Sequence, residues 1–205
     1  MASTRADFVH VFEPGTDPSR PPVLLLHGTG GNERDLLPVG RAISPGSALL
    51  SPLGQVVENG MPRFFRRLAE GVFDEDDLRA RTDDLAAFVA KACDTNALAK
   101  PVAIGFSNGA NIAAALLLRQ PQILRAAILI RAMTPFVEPP MSDLRGIEVL
   151  LLSGRSDPIV APKNSVALAR LFEASGASVT HQELPVGHAM TRVDIALARE
   201  WMNDR

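Results

Sequence analysis

The sequence predicts an α/β fold in which a mainly parallel central sheet carries helices on both faces, and three observations lead there. Short apolar runs, Val23-Leu24-Leu25-Leu26, Ala126-Ala127-Ile128-Leu129-Ile130 and Val149-Leu150-Leu151-Leu152, have the composition of strands covered on both sides. Segments with helical spacing lie between such runs, so strands and helices alternate along the chain. Finally, the strand-like Lys100-Pro101-Val102-Ala103-Ile104 runs into Gly105-Phe106-Ser107-Asn108-Gly109 and then into the helix formers of residues 110–118, giving a strand, a tight turn and a helix in immediate succession.

The elements follow in order. His10 falls in an N-terminal edge segment. After Pro21-Pro22, the strand at 23–26 ends in His27-Gly28-Thr29-Gly30-Gly31-Asn32. Residues 33–43 read as a short helix whose boundaries Pro38 blurs, and 48–52 as the next strand. Residues 53–75, with glycines at 54, 60 and 71, show no clean period and read as a functional loop. A helix over 76–94 is predicted from Leu85, Phe88, Val89 and Ala92 at i, i+3, i+4 and i+7. Beyond the turn at Ser107 and its helix, the strands at 126–130 and 148–152 are separated by a Pro-rich loop at 135–140. Residues 162–174 read as helix, 179–184 as strand and 192–202 as a terminal helix. No repeat or low-complexity tract interrupts the series.

The length of 205 residues suits one domain over 1–205 and leaves little room for a large cap domain. Lys and Arg number 21 against 23 acidic residues, a formal charge of −2, so no field gathers nucleic acid or an anionic membrane. The N-terminus lacks an apolar leader and no apolar run reaches membrane-spanning length, which predicts a cytoplasmic protein without stable membrane association. The single cysteine, Cys93, can form no internal disulfide. It lies beside the apolar face of the 76–94 helix, with no glycine turn or base near it, and reads as a small core residue.

The chemistry centres on Ser107. A serine in G-x-S-x-G at a strand-to-helix turn is held in a strained conformation that both glycines permit, with its hydroxyl clear of the sheet at a helix N-terminus. A serine hydroxyl is a weak nucleophile and needs a base, itself oriented by a carboxylate. Among His10, His27, His181 and His188, only His188, in Pro185-Val186-Gly187-His188-Ala189, falls in a loop after a C-terminal strand. Asp157 follows the 149–152 strand, in competition with Glu138, Asp143 and Asp194. The order Ser107, Asp157, His188 then places each member at the carboxyl end of a strand. The amides of Thr29 and Asn108 are the expected oxyanion donors, and His27 is expected to pack beside them. Met61, Phe64 and Met133 are candidates to line a substrate pocket, as are Phe65 and Met190, although residues of this kind more often form core. Pairing of Arg63, Arg66 and Arg67 with Glu70, Asp74 and Glu75 is expected ahead of substrate binding. The spacing of His181 and His188 contains no metal-ligand motif, the glycines at 28, 30 and 31 no phosphate-binding motif, and no cofactor is expected.

The segments Leu24-Leu25-Leu26-His27-Gly28-Thr29-Gly30-Gly31, Glu58-Asn59-Gly60-Met61-Pro62-Arg63-Phe64-Phe65-Arg66-Arg67 and Gly105-Phe106-Ser107-Asn108-Gly109 resemble the phospholipase/carboxylesterase family of α/β-hydrolases. Within it they are most similar to the bacterial carboxylesterases linked to methylhydroquinone stress, over about residues 20–200. The resemblance implies an α/β-hydrolase fold and a serine carboxylesterase, with water as second substrate, acting on short to medium acyl or aromatic esters. Its triad positions match Ser107, Asp157 and His188, and its oxyanion positions match Thr29 and Asn108. Acyl-protein thioesterase relatives carry Gln where this chain has Asn108, and Ala132 stands where the family leads one to expect proline after Arg131. A thioesterase or lysophospholipase using the same triad, and a non-catalytic hydrolase-fold binding protein, stay open at this point. Apolar positions near the site mouth would serve a homodimer contact equally well.

Overall fold

The computed structural model describes residues 7–204. Its centre is a seven-stranded sheet in the order β1-β3-β2-β8-β9-β10-β11, formed by β1 (His10–Glu13), β2 (Val23–Leu26), β3 (Leu49–Pro52), β8 (Val102–Phe106), β9 (Ala126–Ile130), β10 (Glu148–Gly154) and β11 (Ser178–Leu184). All neighbouring pairs are parallel except β1 with β3 at the edge. A parallel pair needs a crossover, and the helices supply it. They are α1 (Leu37–Ile43), α2 (Glu75–Thr95), α3 (Asn108–Arg119), α4 (Pro162–Ala174) and α5 (Arg192–Asn203).

Period-two side-chain alternation divides the central strands between two cores. On one face Leu24, Leu26, Ala103, Leu129 and Leu151 pack with Leu85 and Phe88 of α2, Ile112 and Leu116 of α3, and Leu168 and Phe172 of α4. On the other, Val23, Leu25, Ile104, Ile128 and Leu150 pack with Ile43 of α1 and Ala198, Trp201 and Met202 of α5. Strands buried on both sides can consist almost wholly of Val, Ile, Leu and Ala, which is why the apolar runs predicted these strands to within about two residues. Helix α1 is shorter than the sequence predicts: residues 33–36 form turns and Pro38 sits in its first turn, where a missing N–H costs nothing.

One expectation is corrected. Residues 53–75 are not a structureless loop: they form two small antiparallel hairpins, β4 (Val56–Glu58) with β5 (Met61–Arg63) and β6 (Arg67–Ala69) with β7 (Val72–Phe73). Strands of two or three residues are too short to establish an alternation, so the sequence carried no period to read. Asn59-Gly60 turns the first hairpin, both at positive φ. Among the described residues, no helix is long and apolar enough to cross a membrane.

Candidate active site

Ser107 occupies the N-cap of α3 with φ 51° and ψ −113°, a backbone conformation that non-glycine residues seldom adopt. The turn is anchored by the Ser107 N–H donating to the Ile130 carbonyl at 2.9 Å. The glycines flanking it are required by space. A Cβ on Gly105 would lie 2.6 Å from the Gly109 carbonyl oxygen, and one on Gly109 would run into the Leu26 carbonyl.

Four strand ends converge here. Ser107 follows β8, Asp157 the end of β10 and His188 the end of β11, while the loop 27–31 leaves β2. His188 Nε2 lies 2.9 Å from Ser107 Oγ, and its Nδ1 lies 2.8 Å from Asp157 Oδ2. Asp157 has a fully buried side chain whose other oxygen accepts the N–H groups of Ile159 and Val160, at 2.8 and 3.0 Å. With the carboxylate fixed by two amides, Nδ1 of His188 carries the proton and Nε2 is free to accept one from Ser107. The loops bearing acid and imidazole are joined, since Arg155 N–H donates to Leu184 O and Ser156 N–H to Val186 O.

An ion pair that sequence reasoning missed holds the imidazole loop. Arg131, at φ 60°, and Asp194 form a salt bridge with both side chains fully buried, Nη1 to Oδ1 at 2.8 Å and Nη2 to Oδ2 at 2.9 Å. The same guanidinium donates to the carbonyls of Gly187 and Ala189, at 2.9 and 3.2 Å, which bracket His188. Asp194 also accepts from Thr191 in the capping box of α5. The only sequence signal was the competing carboxylate at 194, after a threonine three residues earlier. Of the other competitors, Asp143 is exposed and pairs with Arg145, and Glu138 is exposed.

A second brace joins the 54–65 segment to both expected oxyanion residues. Gly30 N–H donates to Pro62 O at 2.9 Å and Arg63 Nη1 to Thr29 Oγ1 at 2.5 Å, while Phe64 N–H donates to Asn108 Oδ1 at 2.8 Å. As the first residue of α3, Asn108 has an N–H with no intrahelical acceptor, and the positive end of the helix dipole lies there. Thr29 N–H donates to no protein group among the described residues.

His27 completes the brace. Its Nε2 accepts the Gly54 N–H at 3.0 Å, so Nδ1 bears the proton donated to Gly28 O at 2.7 Å, and its ring packs on Phe64. Burial holds its pKa below the ordinary 6.5, against smaller opposing effects of the Gly28 carbonyl, Asp35 and Glu33. The unfolded chain therefore takes up this proton first. The stability that neutral His27 contributes is complete above pH 6.5 and drains as pH falls from there to the depressed folded value. His181, beside Ser153 and likewise lowered by burial, acts in the same direction. Urea unfolding between pH 8 and 5 is expected to show a steeper acid loss in wild type than in His27→Gln, by at most about 1.4 kcal/mol per pH unit. Equal slopes would assign the acid sensitivity to His181 and the carboxylates.

A cavity of about 290 Å³ holds Ser107, Asn108, Thr29 and His188, with Phe73, Phe106, Met133, Ile159 and Val160 among its walls. Met133 is on the wall, its N–H held by Asn111 Oδ1. Met61 is 37% exposed on the β4–β5 hairpin, and Phe64, with Phe65, is buried in the core rather than on the cavity wall. The Phe64 ring is packed on that of His27, 4.7 Å between centroids. Met190 packs against the core on the α1–α5 side. Cys93 is half-buried against the core, and burial raises its thiol pKa. Arg66 pairs with Asp74 and Asp77, whereas Arg63 and Arg67 share Glu58, a carboxylate omitted from the expected partners.

Comparison with known proteins agrees with this architecture. The family model for the alpha/beta hydrolase fold matches residues 35–144. The Bacillus subtilis (strain 168) protein MhqD is 44% identical over 197 residues, covering 95% of this chain and 98% of that one. The crystal structure of the Bacillus cereus carboxylesterase superposes with a TM-score of 0.94 at 44% identity, over 96% of this chain and 94% of its own. The Agrobacterium tumefaciens strain C58 protein Atu2452 superposes with a TM-score of 0.90 at 35% identity, over 98% of each chain. With its sheet order, its strand-turn-helix at Ser107 and these relatives, the chain belongs to the α/β-hydrolase fold family, where its likeness is to the phospholipase/carboxylesterase group.

Proposed function

We propose that this hydrolase is a single-domain serine carboxylesterase acting through Ser107, His188 and Asp157. The observation that carries the reading is the unbroken series Asp157 Oδ2, His188 Nδ1, His188 Nε2, Ser107 Oγ, with contacts of 2.8 and 2.9 Å. His188 takes the Ser107 proton as Oγ attacks the ester carbonyl. The Thr29 and Asn108 amides stabilise the oxyanion, and the alcohol leaves with the proton held by His188. Water, deprotonated by the same imidazole, then attacks the acyl-enzyme and releases the carboxylic acid, restoring Ser107. Asp157 keeps the imidazole oriented and stabilises its cation. No metal or cofactor is required by these steps.

The Bacillus cereus carboxylesterase, 44% identical over nearly the whole chain, supports ester chemistry. Two short hairpins, in place of a large cap, support short to medium acyl or aromatic esters. The near-neutral charge supports a small-molecule substrate rather than nucleic acid.

Hydrolysis of p-nitrophenyl esters from acetate to laurate, with matched acyl thioesters alongside, tests the reading. Turnover highest on acyl chains of short to medium length, with labelling of Ser107 by an organophosphonate, is the expected result. Preference for thioesters would make it a thioesterase, and absence of both turnover and labelling would make it a binding protein.

A further inference from the structure

The mechanism leaves two cations unused at the reaction site. Arg63 and Arg67 both line the cavity that holds Ser107. Arg63 is 3% exposed, with Nη1 on Thr29 Oγ1 at 2.5 Å, Nε on Phe65 O at 3.2 Å and the Phe65 ring 5.8 Å from its Cζ. A guanidinium taken out of water is costly unless carboxylates compensate it. The compensation is half of what two cations need: the Glu58 carboxylate lies 3.8 Å from Arg63 Nε and 2.8 Å from Arg67 Nε. Glu70, also on the cavity wall, is exposed and forms no ion pair among the described residues.

The unused donors point the same way. Arg63 Nη2 and both Nη nitrogens of Arg67 donate to no protein group among the described residues. Asn108, 2% exposed and on the same cavity wall, has a buried Nδ2 with no acceptor. A buried donor such as Asn108 Nδ2 ordinarily has a partner in a folded protein. Apart from Asn111, whose Oδ1 accepts the Met133 N–H, the remaining wall of Phe73, Phe106, Met133, Ile159 and Val160 is apolar, and the cationic groups of the cavity are Arg63 and Arg67.

We infer that Arg63 and Arg67 form a carboxylate subsite, and that the preferred substrate is a small half-ester of a dicarboxylic acid. A planar carboxylate fits the forked guanidinium donors, and its charge supplies what Glu58 does not. Because Arg63 holds Thr29, the subsite adjoins the oxyanion position, and the free carboxylate sits a few bonds from the ester carbonyl. The inference rests on the reading of Ser107 as nucleophile and adds no chemical step: half-ester and water give dicarboxylate, alcohol and a proton. Arg63 and Arg67 would act as specificity-determining residues.

Monoethyl glutarate and its near-isosteric neutral counterpart ethyl 5-methylhexanoate, followed in a pH-stat, separate the subsite from general ester hydrolysis. Wild type is expected to favour the anionic ester in kcat/KM. The anionic-to-neutral ratio is expected to fall about tenfold or more in Arg67→Gln and in Arg63→Lys, the scale of one lost charged hydrogen bond. Arg67 is only partly buried, so its variant decides the matter even if Arg63→Lys misfolds. A wild-type preference for the neutral ester, or a ratio unmoved in the folded variants, overturns the inference while leaving the esterase reading intact. If neither ester turns over, the esterase reading stands or falls with the p-nitrophenyl panel and the labelling of Ser107. Calorimetric titration with monoethyl glutarate then decides the subsite alone: binding weakened by Arg67→Gln upholds it, and no binding overturns it.

Discussion

Ser107→Ala and His188→Ala are each expected to lower kcat by ~10³-fold or more, and the double variant to be no worse than either alone. The non-additivity follows from the geometry. Ser107 Oγ and His188 Nε2 share one 2.9 Å contact, so removing either abolishes the same proton transfer. On the proposed mechanism, what survives is the assistance of the Thr29 and Asn108 amides and the binding cavity. Stability is expected to change little in Ser107→Ala, because the hydroxyl makes no hydrogen bond other than that to His188 among the described residues. Steady-state kinetics on a reactive p-nitrophenyl ester, with thermal unfolding in parallel, reads both quantities. Independent losses that multiply in the double variant would show that the two side chains do not work as a unit.

Arg131→Met is expected to destabilise the fold by about 3–5 kcal/mol, because it leaves the fully buried Asp194 carboxylate uncompensated. For a chain of this length that corresponds to a fall in Tm of roughly 6–20 °C. Stability is half of the effect. The lost guanidinium also releases the carbonyls of Gly187 and Ala189 on either side of His188, so kcat is expected to drop below the unfolding range with KM less affected. Arg131→Met/Asp194→Leu separates the two. Replacing the whole ion pair by apolar groups recovers part of the stability, the Thr191 cap of α5 being lost with Asp194, but not the grip on the loop. A double variant that regained both stability and kcat would show that the ion pair serves the fold and leaves the imidazole's position untouched.

Much of the site is legible in the chain because local rules specify it. A glycine on each side of Ser107 is demanded by a turn so tight that a Cβ at either place strikes backbone. Apolar runs at 23–26 and 126–130 are demanded by burial on both faces of a parallel sheet. The places of Asp157 and His188 follow from the rule that such sheets carry their sites beyond strand carboxyl ends. These constraints act within a few residues of sequence, so composition and order reveal them.

The 54–67 segment and Arg131 are of another kind. Hairpins of two and three residues carry no readable period, and nothing near residue 63 announces that its guanidinium reaches Thr29, 34 residues earlier in the chain. Arg131 meets Asp194 across 63 residues, and Glu58 accepts two arginines that charge spacing alone assigned to carboxylates farther along the chain. Phe64 illustrates the same limit: its apolar side chain suits pocket and core equally in sequence, and only the folded chain packs it in the core against His27. The sequence by itself determined the layered sheet, the strained serine turn and the order of serine, acid and histidine, since each is set by local backbone sterics and periodic burial. Tertiary structure alone decided which buried charges meet, because pairing energy depends on distances that only the folded chain defines.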